Sequence, residues 1–363
     1  MKSKSEKVGG SKVFFVPLGE SATPEQMAAA ALKLWETMDL DGLVAKGALV
    51  ALKQHFGEKG GKNFLPPAVA KAVGQRVRQA GGKPFATDSN TLYNGQRANA
   101  VDHLELAREH GFSHEALGFP VIIADGLKGE SQVTLDAKGG ALRHVFLAGA
   151  GYMADAAIVL THVTGHLAAG IGAAIKNVAM GFAGRAGKLQ QHHAAKPIFS
   201  QAKCKACGKC AKHCPVSAIE MKDTAVLDLK RCIGCGECYA FCPHGAVGFE
   251  WSTASVDLQK KMAEYCLAFH KEKHGRVAYL SFMTRVTKNC DCLAKNEECL
   301  PDLGVVGSLD PVAVDVAAMD LLNQRHGRDV FGTYWPQTSH RTQLEFGEQI
   351  GLGSTRYELV RVE

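Results

Sequence analysis

The segment Cys204-Lys-Ala-Cys207-Gly-Lys-Cys210-Ala-Lys-His-Cys214-Pro215 returns with the same spacing as Cys232-Ile-Gly-Cys235-Gly-Glu-Cys238-Tyr-Ala-Phe-Cys242-Pro243. Two-residue spacers let three thiolates of one tight loop reach three irons of a cubane, and the fourth Cys, followed by Pro, turns toward the other cubane. On that rule one 4Fe–4S cluster takes Cys204, Cys207, Cys210 and Cys242, and the other takes Cys232, Cys235, Cys238 and Cys214. The competing reading is zinc. Zinc sites pair two separated Cys knuckles, whereas each run here packs three thiols at two-residue spacing before a Cys-Pro. Glycines at 208, 234 and 236 leave room for backbone amides to approach the sulfurs.

Each half is the C-x₂-C-x₂-C-x₃-C-P run of bacterial ferredoxins, and the segments Val216–Met221 and Gly245–Phe249 are expected to form the matching ends of a pseudo-two-fold module. All 12 cysteines lie between Cys204 and Cys299. Clustered thiols in a chain this long, with no export signal in the Lys/Ser/Gly-rich stretch before Val13, point to metal ligation in a reducing compartment. The expected location is cytoplasmic. From Lys196 to Arg231 there are eight Lys/Arg against three Asp/Glu, most of the chain's formal +6. That surface suits an acidic redox partner protein or a small anionic substrate. No aromatic residues interleave the lysines as stacking platforms, so nucleic acid is not expected.

Before the cassette, strand-like and helix-like segments alternate: strands at Val13–Leu18, Ala48–Lys53, Pro84–Thr87, Val121–Ala124 and Ala156–Leu160, helices at Pro24–Met38, Pro67–Ala80, Ala98–His110 and Leu167–Phe182. Thr23 reads as the cap of the first helix. The same style returns after residue 252, with helices at Val256–Lys271 and Val312–Asn323 and strands at Val277–Phe282 and Tyr357–Val362. The pattern predicts an α/β fold, a mostly parallel sheet flanked by helices, interrupted by a ferredoxin-like α+β module. The expected division is residues 1–198 and 253–363 for the α/β domain and 199–252 for the insert. Ala156–Ile175 carries no Asp, Glu, Lys or Arg, yet its His162, His166 and glycines 165, 170 and 172 favour a buried strand and a glycine turn over a membrane span.

Cys290-Asp-Cys292 and Cys299 form a second thiol group. Thiols at i and i+2 in an extended loop can turn to one metal, with Cys299 as a third ligand, so a third metal or cluster is expected here unless these are core thiols. Cys266 reads as core. Asp310 reads as the cap of a helix with Pro311 in its first turn, while Asp315, one turn on and flanked by apolar residues, is expected to hold a ligand or a buried Lys. His192 and His193 read as linker surface. Gly149-Ala-Gly151 and Gly170-Ile-Gly172 lack the full glycine fingerprint of a dinucleotide site.

Lys53-Gln-His55-Phe-Gly-Glu58, Thr87-Asp88-Ser-Asn-Thr-Leu-Tyr-Asn94-Gly-Gln-Arg97, His162…His166…Lys176-Asn177, Gly187-Lys188, Asn289-Cys-Asp-Cys292 and Asp310-Pro-Val-Ala-Val-Asp315 accompany the cassette in that order. With them the sequence resembles the "domain of unknown function 362" family of iron–sulfur proteins over nearly its whole length. The resemblance implies the domain layout and makes Lys53, His55, Asp88, Arg97, His162, His166, Lys176 and Lys188 candidate site residues, without implying a substrate. Many relatives have Lys where this chain has Leu160. These polar groups follow apolar strands, so they are expected to meet at the carboxyl ends of a parallel sheet. The expected function is electron transfer by two 4Fe–4S clusters, in an oxidoreductase with a polar site in the α/β domain. The alternatives are an electron carrier or assembly subunit whose α/β domain only docks a partner, and a non-redox enzyme with structural clusters.

Overall fold

The structure, a computed structural model, describes residues 10–92, 95–137, 139–192, 197–214, 216–232, 238, 241–249, 255–292 and 298–363. Its centre is an eight-stranded sheet. In chain order its strands are β1 (Ser11–Pro17), β2 (Leu49–Lys53), β3 (Lys83–Asp88), β4 (Val121–Ile123), β5 (Ala156–His162), β6 (Val277–Met283), β7 (Gly304–Ser308) and β8 (Tyr357–Arg361). Their spatial order is β8-β1-β7-β6-β5-β2-β3-β4. Only β7 runs against its neighbours, pairing antiparallel with both β1 and β6. The other pairings are parallel. The fold is thus α/β with a mostly parallel sheet flanked by helices.

The central strands are apolar on both sides, as strands covered by helices on both faces must be. In β5, Ala157 and Val159 enter one core while Ala156, Ile158 and Leu160 enter the other; in β6, Val277, Tyr279 and Met283 alternate in the same way with Ala278, Leu280 and Phe282. One face is covered by helices α1 (Pro24–Thr37) and α2 (Pro67–Gln79), the other by α3 (Ala174–Gly181), α4 (Ser255–Glu272) and α5 (Pro311–His326). Thr23 caps α1 in a capping box with Gln26. Strands from before and after the cassette interleave in one sheet, so both stretches are needed to complete either core.

Two elements differ from the sequence expectation. The helix expected from Leu167 begins at Ala174, because Thr164–His166 and Gly170–Gly172 pair as a hairpin. Gly170 takes the left-handed φ of 71° its turn needs, and a side chain at Gly165 would strike the Lys288 carbonyl oxygen. The strand β7 was not foreseen. Its glycines hide it from propensity, yet a Cβ at Gly307 would lie 2.6 Å from Met38 Sδ, so this glycine lets α1 pack tightly on the sheet. A peripheral hairpin of Gln132–Asp136 and His144–Ala148 was likewise not expected. Among the described residues, no helix is long and apolar enough to cross a membrane.

Candidate functional site

Two places gather chemistry-bearing side chains. The first is the cassette, which folds on a small core of its own made of Cys210, Ile219, Ala225, Cys238 and Val247, with Cys204, Cys214 and Cys242 packed against it. Pro197–Phe199 pairs antiparallel with Val247–Phe249, and Ile219–Met221 pairs antiparallel with Ala225–Leu227. The halves match in detail. Cys214 Sγ accepts the Ala218 N–H at 3.1 Å, and Cys242 Sγ accepts the Ala246 N–H at 3.3 Å. Ser217 and Gly245, three residues past each of those cysteines, both turn left-handed, with φ of 49° and 58°. His213 and Phe241, one residue before them, stack with ring centroids 3.7 Å apart.

Four thiols, Cys204, Cys207, Cys210 and Cys242, line one cavity walled by Phe199, Met221, Ala225, Ala246 and Val247. They are the set that the spacing rule assigns to one cluster. Of the other set, Cys214 and Cys232 are half-buried and Cys238 is buried, while Cys235 lies outside the described residues, as do Asn94, His193, Gly234 and Gly236. Among the described residues, no group of three or more His, Cys, Asp or Glu side chains is arranged to hold a single metal ion. Lys203, Lys205, Lys209 and Lys212 around these thiols are exposed.

The second place is the edge of the sheet where β2, β3, β5 and β6 end together. Lys53 closes β2 and Asp88 closes β3, and they pair at 3.1 Å. Lys53 Nζ also donates to Asn177 Oδ1 at 2.7 Å, and Asn177 donates to the Leu160 carbonyl and to Thr161 Oγ1. Arg97 binds Glu58 at 3.0 Å and approaches Asp88 at 3.7 Å. Burial alone would raise the Asp88 carboxyl, but Lys53, His55, His103 and Arg97 hold it well below the usual range. Lys188 donates to the Ala183 carbonyl and Ser89 Oγ and pairs with Asp125 at 3.4 Å. Lys53, Asp88, Arg97 and Lys188 therefore form a buried, largely paired network, in which Asp88 Oδ2 accepts no hydrogen bond and has only the 3.7 Å approach of Arg97. The resemblance gave no hint of Asp125.

Above that network lies a small cavity of about 50 Å³, room for one or two waters. His55, Thr161, His162, Lys176, Asn177, Cys290 and Cys292 are among its walls, and Cys299 is not. Cys299 Sγ instead donates to the Val286 carbonyl at 3.2 Å, so the expected trio of thiols is split. His162 Nδ1 meets both Asp291 carboxylate oxygens at 2.9 Å, and its Nε2 faces the Thr284 and Arg285 carbonyls at 2.8 and 3.2 Å. Both ring nitrogens face acceptors, so the ring is an imidazolium. Burial opposes that charge, but Asp291 and the two carbonyls raise the His162 pKa above its ordinary value. His162 thus clamps the 284–292 loop and is not free to bind a metal with His166. Both histidines lie on strands, so their four-residue spacing does not place them on one face of a helix.

His166 Nδ1 accepts the Ala168 and Ala169 N–H groups, and burial pushes its pKa well down. His55 Nδ1 accepts the Gly57 N–H at 2.9 Å, which leaves the proton on Nε2, 3.9 Å from Cys292 Sγ. Cys290 and Cys292 share a hydrogen bond that lowers the Cys292 pKa, with Lys176 and His55 adding to it against burial, and raises that of Cys290. Burial disfavours the Lys176 ammonium, but Cys290, Cys292 and Asp291 more than offset this. His192, expected on the linker surface, is half-buried here; burial and then the Lys176 charge push it down to about 4.

Asp315 corrects another expectation. Among the described residues it pairs with no lysine, and it accepts the Ala174 and Ile175 N–H groups at 2.8 and 3.0 Å. It therefore caps α3 from another helix and so fixes Lys176 and Asn177. Asp310 caps α5 as expected, and Cys266 is fully buried in the core.

A protein from Thermotoga maritima with a solved crystal structure is 12% identical at a TM-score of 0.45, over 85% of this chain and 60% of its own. The lactate racemase apoprotein from Thermoanaerobacterium thermosaccharolyticum is 10% identical at a TM-score of 0.42, over 89% of this chain and 59% of its own. This chain spans about three-fifths of the length of each. Among curated proteins none matches. Residues 50–320 match the family model described as Domain of unknown function (DUF362), and the chain belongs to that family.

Proposed function

We propose that the chain is an iron–sulfur protein that binds two 4Fe–4S clusters on an inserted ferredoxin-like module, residues 199–252, and transfers electrons as part of an oxidoreductase. The observation that carries this reading is the cavity lined by Cys204, Cys207, Cys210 and Cys242, thiols drawn from both halves of the repeat. A mononuclear zinc site needs no such exchange of the fourth ligand. The second cluster falls to Cys214, Cys232, Cys235 and Cys238. A bound 4Fe–4S cluster supplies one-electron redox chemistry. Around it the chain's own residues would act as ligands, donate N–H bonds from Ala218 and Ala246 to the sulfurs, and keep water away with Phe199, Met221 and Val247. The exposed lysines suit an acidic redox partner protein, and Lys176 suits a small anionic substrate.

The buried ion pairs of Lys53, Asp88, Arg97 and Lys188 favour a narrower variant, in which these four hold the sheet edge rigid and the chemistry lies at the cavity beside Lys176. Replacing Cys242 by Ser in the anaerobically reconstituted protein tests the cluster assignment. The reduced variant is expected to lose the paramagnetic signal of one cluster and keep the other. Two intact signals would refute the shared-ligand assignment.

A further inference from the structure

We propose that Cys290 and Cys292 are a two-electron redox centre, alternating between a dithiol and an intramolecular disulfide in the cavity at the carboxyl ends of β2 and β5. The inference rests on the two-cluster reading for its electron source alone. Forming the S–S bond releases two electrons and two protons, or a single proton where one sulfur is already a thiolate; breaking it takes them back. The clusters accept or supply the electrons singly, and the protons exchange with water at the half-exposed thiols.

The geometry excludes the commoner uses of a buried thiol. Asp291 is held by His162 at 2.9 Å, and the residues on either side of it line the cavity with it. Cys292 has a His55 ring nitrogen 3.9 Å away, but His55 Nδ1 already accepts the Gly57 N–H. His55 can therefore donate to a thiolate and cannot take the thiol's proton without losing that bond. A Cys–His nucleophile of the hydrolase kind is thereby disfavoured. A metal would need further ligands, and among the described residues none completes a site, with Cys299 directed elsewhere. What remains is a pair of thiols beside the Lys176 cation and the His55 N–H, groups that favour a thiolate at Cys292, the form that thiol–disulfide exchange uses.

The test uses the cluster-loaded protein, held anaerobically across a range of dithiothreitol redox buffers, quenched with acid, alkylated and read by peptide mass. The peptide carrying residues 290–292 should take two labels when reduced and none when oxidised, where it is two hydrogens lighter. Cys292→Ser should abolish the transition with iron content unchanged. Lys176→Met should slow alkylation of the reduced pair at neutral pH by about tenfold, as the thiolate fraction falls. Two labels at every potential would overturn the proposal, as would a stoichiometric metal that protects both thiols and is lost in Cys292→Ser. In a second arm, clusters are photoreduced in protein whose pair is oxidised; thiols should appear in the parent protein. Thiols that answer to dithiothreitol but never to reduced clusters would overturn the electron route. Absence of iron and sulfide would refute the cluster reading, while the label count would still judge the thiol pair.

Discussion

Asp315 sits a full turn inside α5, yet its work is done on another helix. Its carboxyl is pushed up to about 7 by burial, only partly opposed by the Ile175 and Ala174 N–H groups it accepts. The folded state therefore keeps a proton that the unfolded chain releases near pH 4, and stability should fall as pH rises from about 4 to about 7. Asp315→Asn should flatten that slope in denaturant melts while keeping one acceptor. Asp315→Ala should cost about 1–3 kcal/mol, because two buried N–H groups lose their partner. Thr23 and Asp310 could be read as caps because their partners are two or three residues away. Asp315 could not, because its partners lie some 140 residues back in the chain. The same distance hid the pairing of His162 with Asp291, although both belonged to recognised motifs.

Among the elements, α3 presses its last turn onto the Lys53 side chain, and a Cβ at Gly181 would collide with Lys53 Cε. Gly181→Ala should push Lys53 away from Asp88 and Asn177. Breaking a buried ion pair costs about 3–5 kcal/mol, so a loss near that size is expected in chemical denaturation. Gly307→Ala in β7 should cost about 1–3 kcal/mol, because Met38, Leu280 and Leu34 must give way. A cost below a few tenths of a kcal/mol in either variant would mean that the packing described for that glycine is wrong. The strands rich in β-branched and other apolar residues were legible from their patterns, and the helices opened by Pro24, Pro67 and Pro311 were legible from their starts, whereas the short helices capped by Ser113 and Asp329 were not. The strand β7 and the hairpin at Thr164–Gly172 were not, because glycine carries no pattern and is there for what it lets approach.

At the scale of the molecule, the sheet is assembled from segments on both sides of the cassette, and β1 pairs with the last strand of the chain. That closure explains why the alternation of strands and helices resumes after residue 252, and it was legible in outline. The convergence of β2, β3, β5 and β6 at one edge followed from parallel pairing. Which side chains there are tied to each other and which face the cavity did not, since both groups share the same residue types. The pairing of the cassette's two halves was legible in most detail, because its cysteines are local and periodic. The proposed function stands on the two clusters. Iron, acid-labile sulfide and zinc, measured on the anaerobically purified and reconstituted chain, test that most directly. About eight irons and eight sulfides per chain are expected. Stoichiometric zinc with little iron, or about four irons in a chain whose eight cassette cysteines are intact, would contradict it.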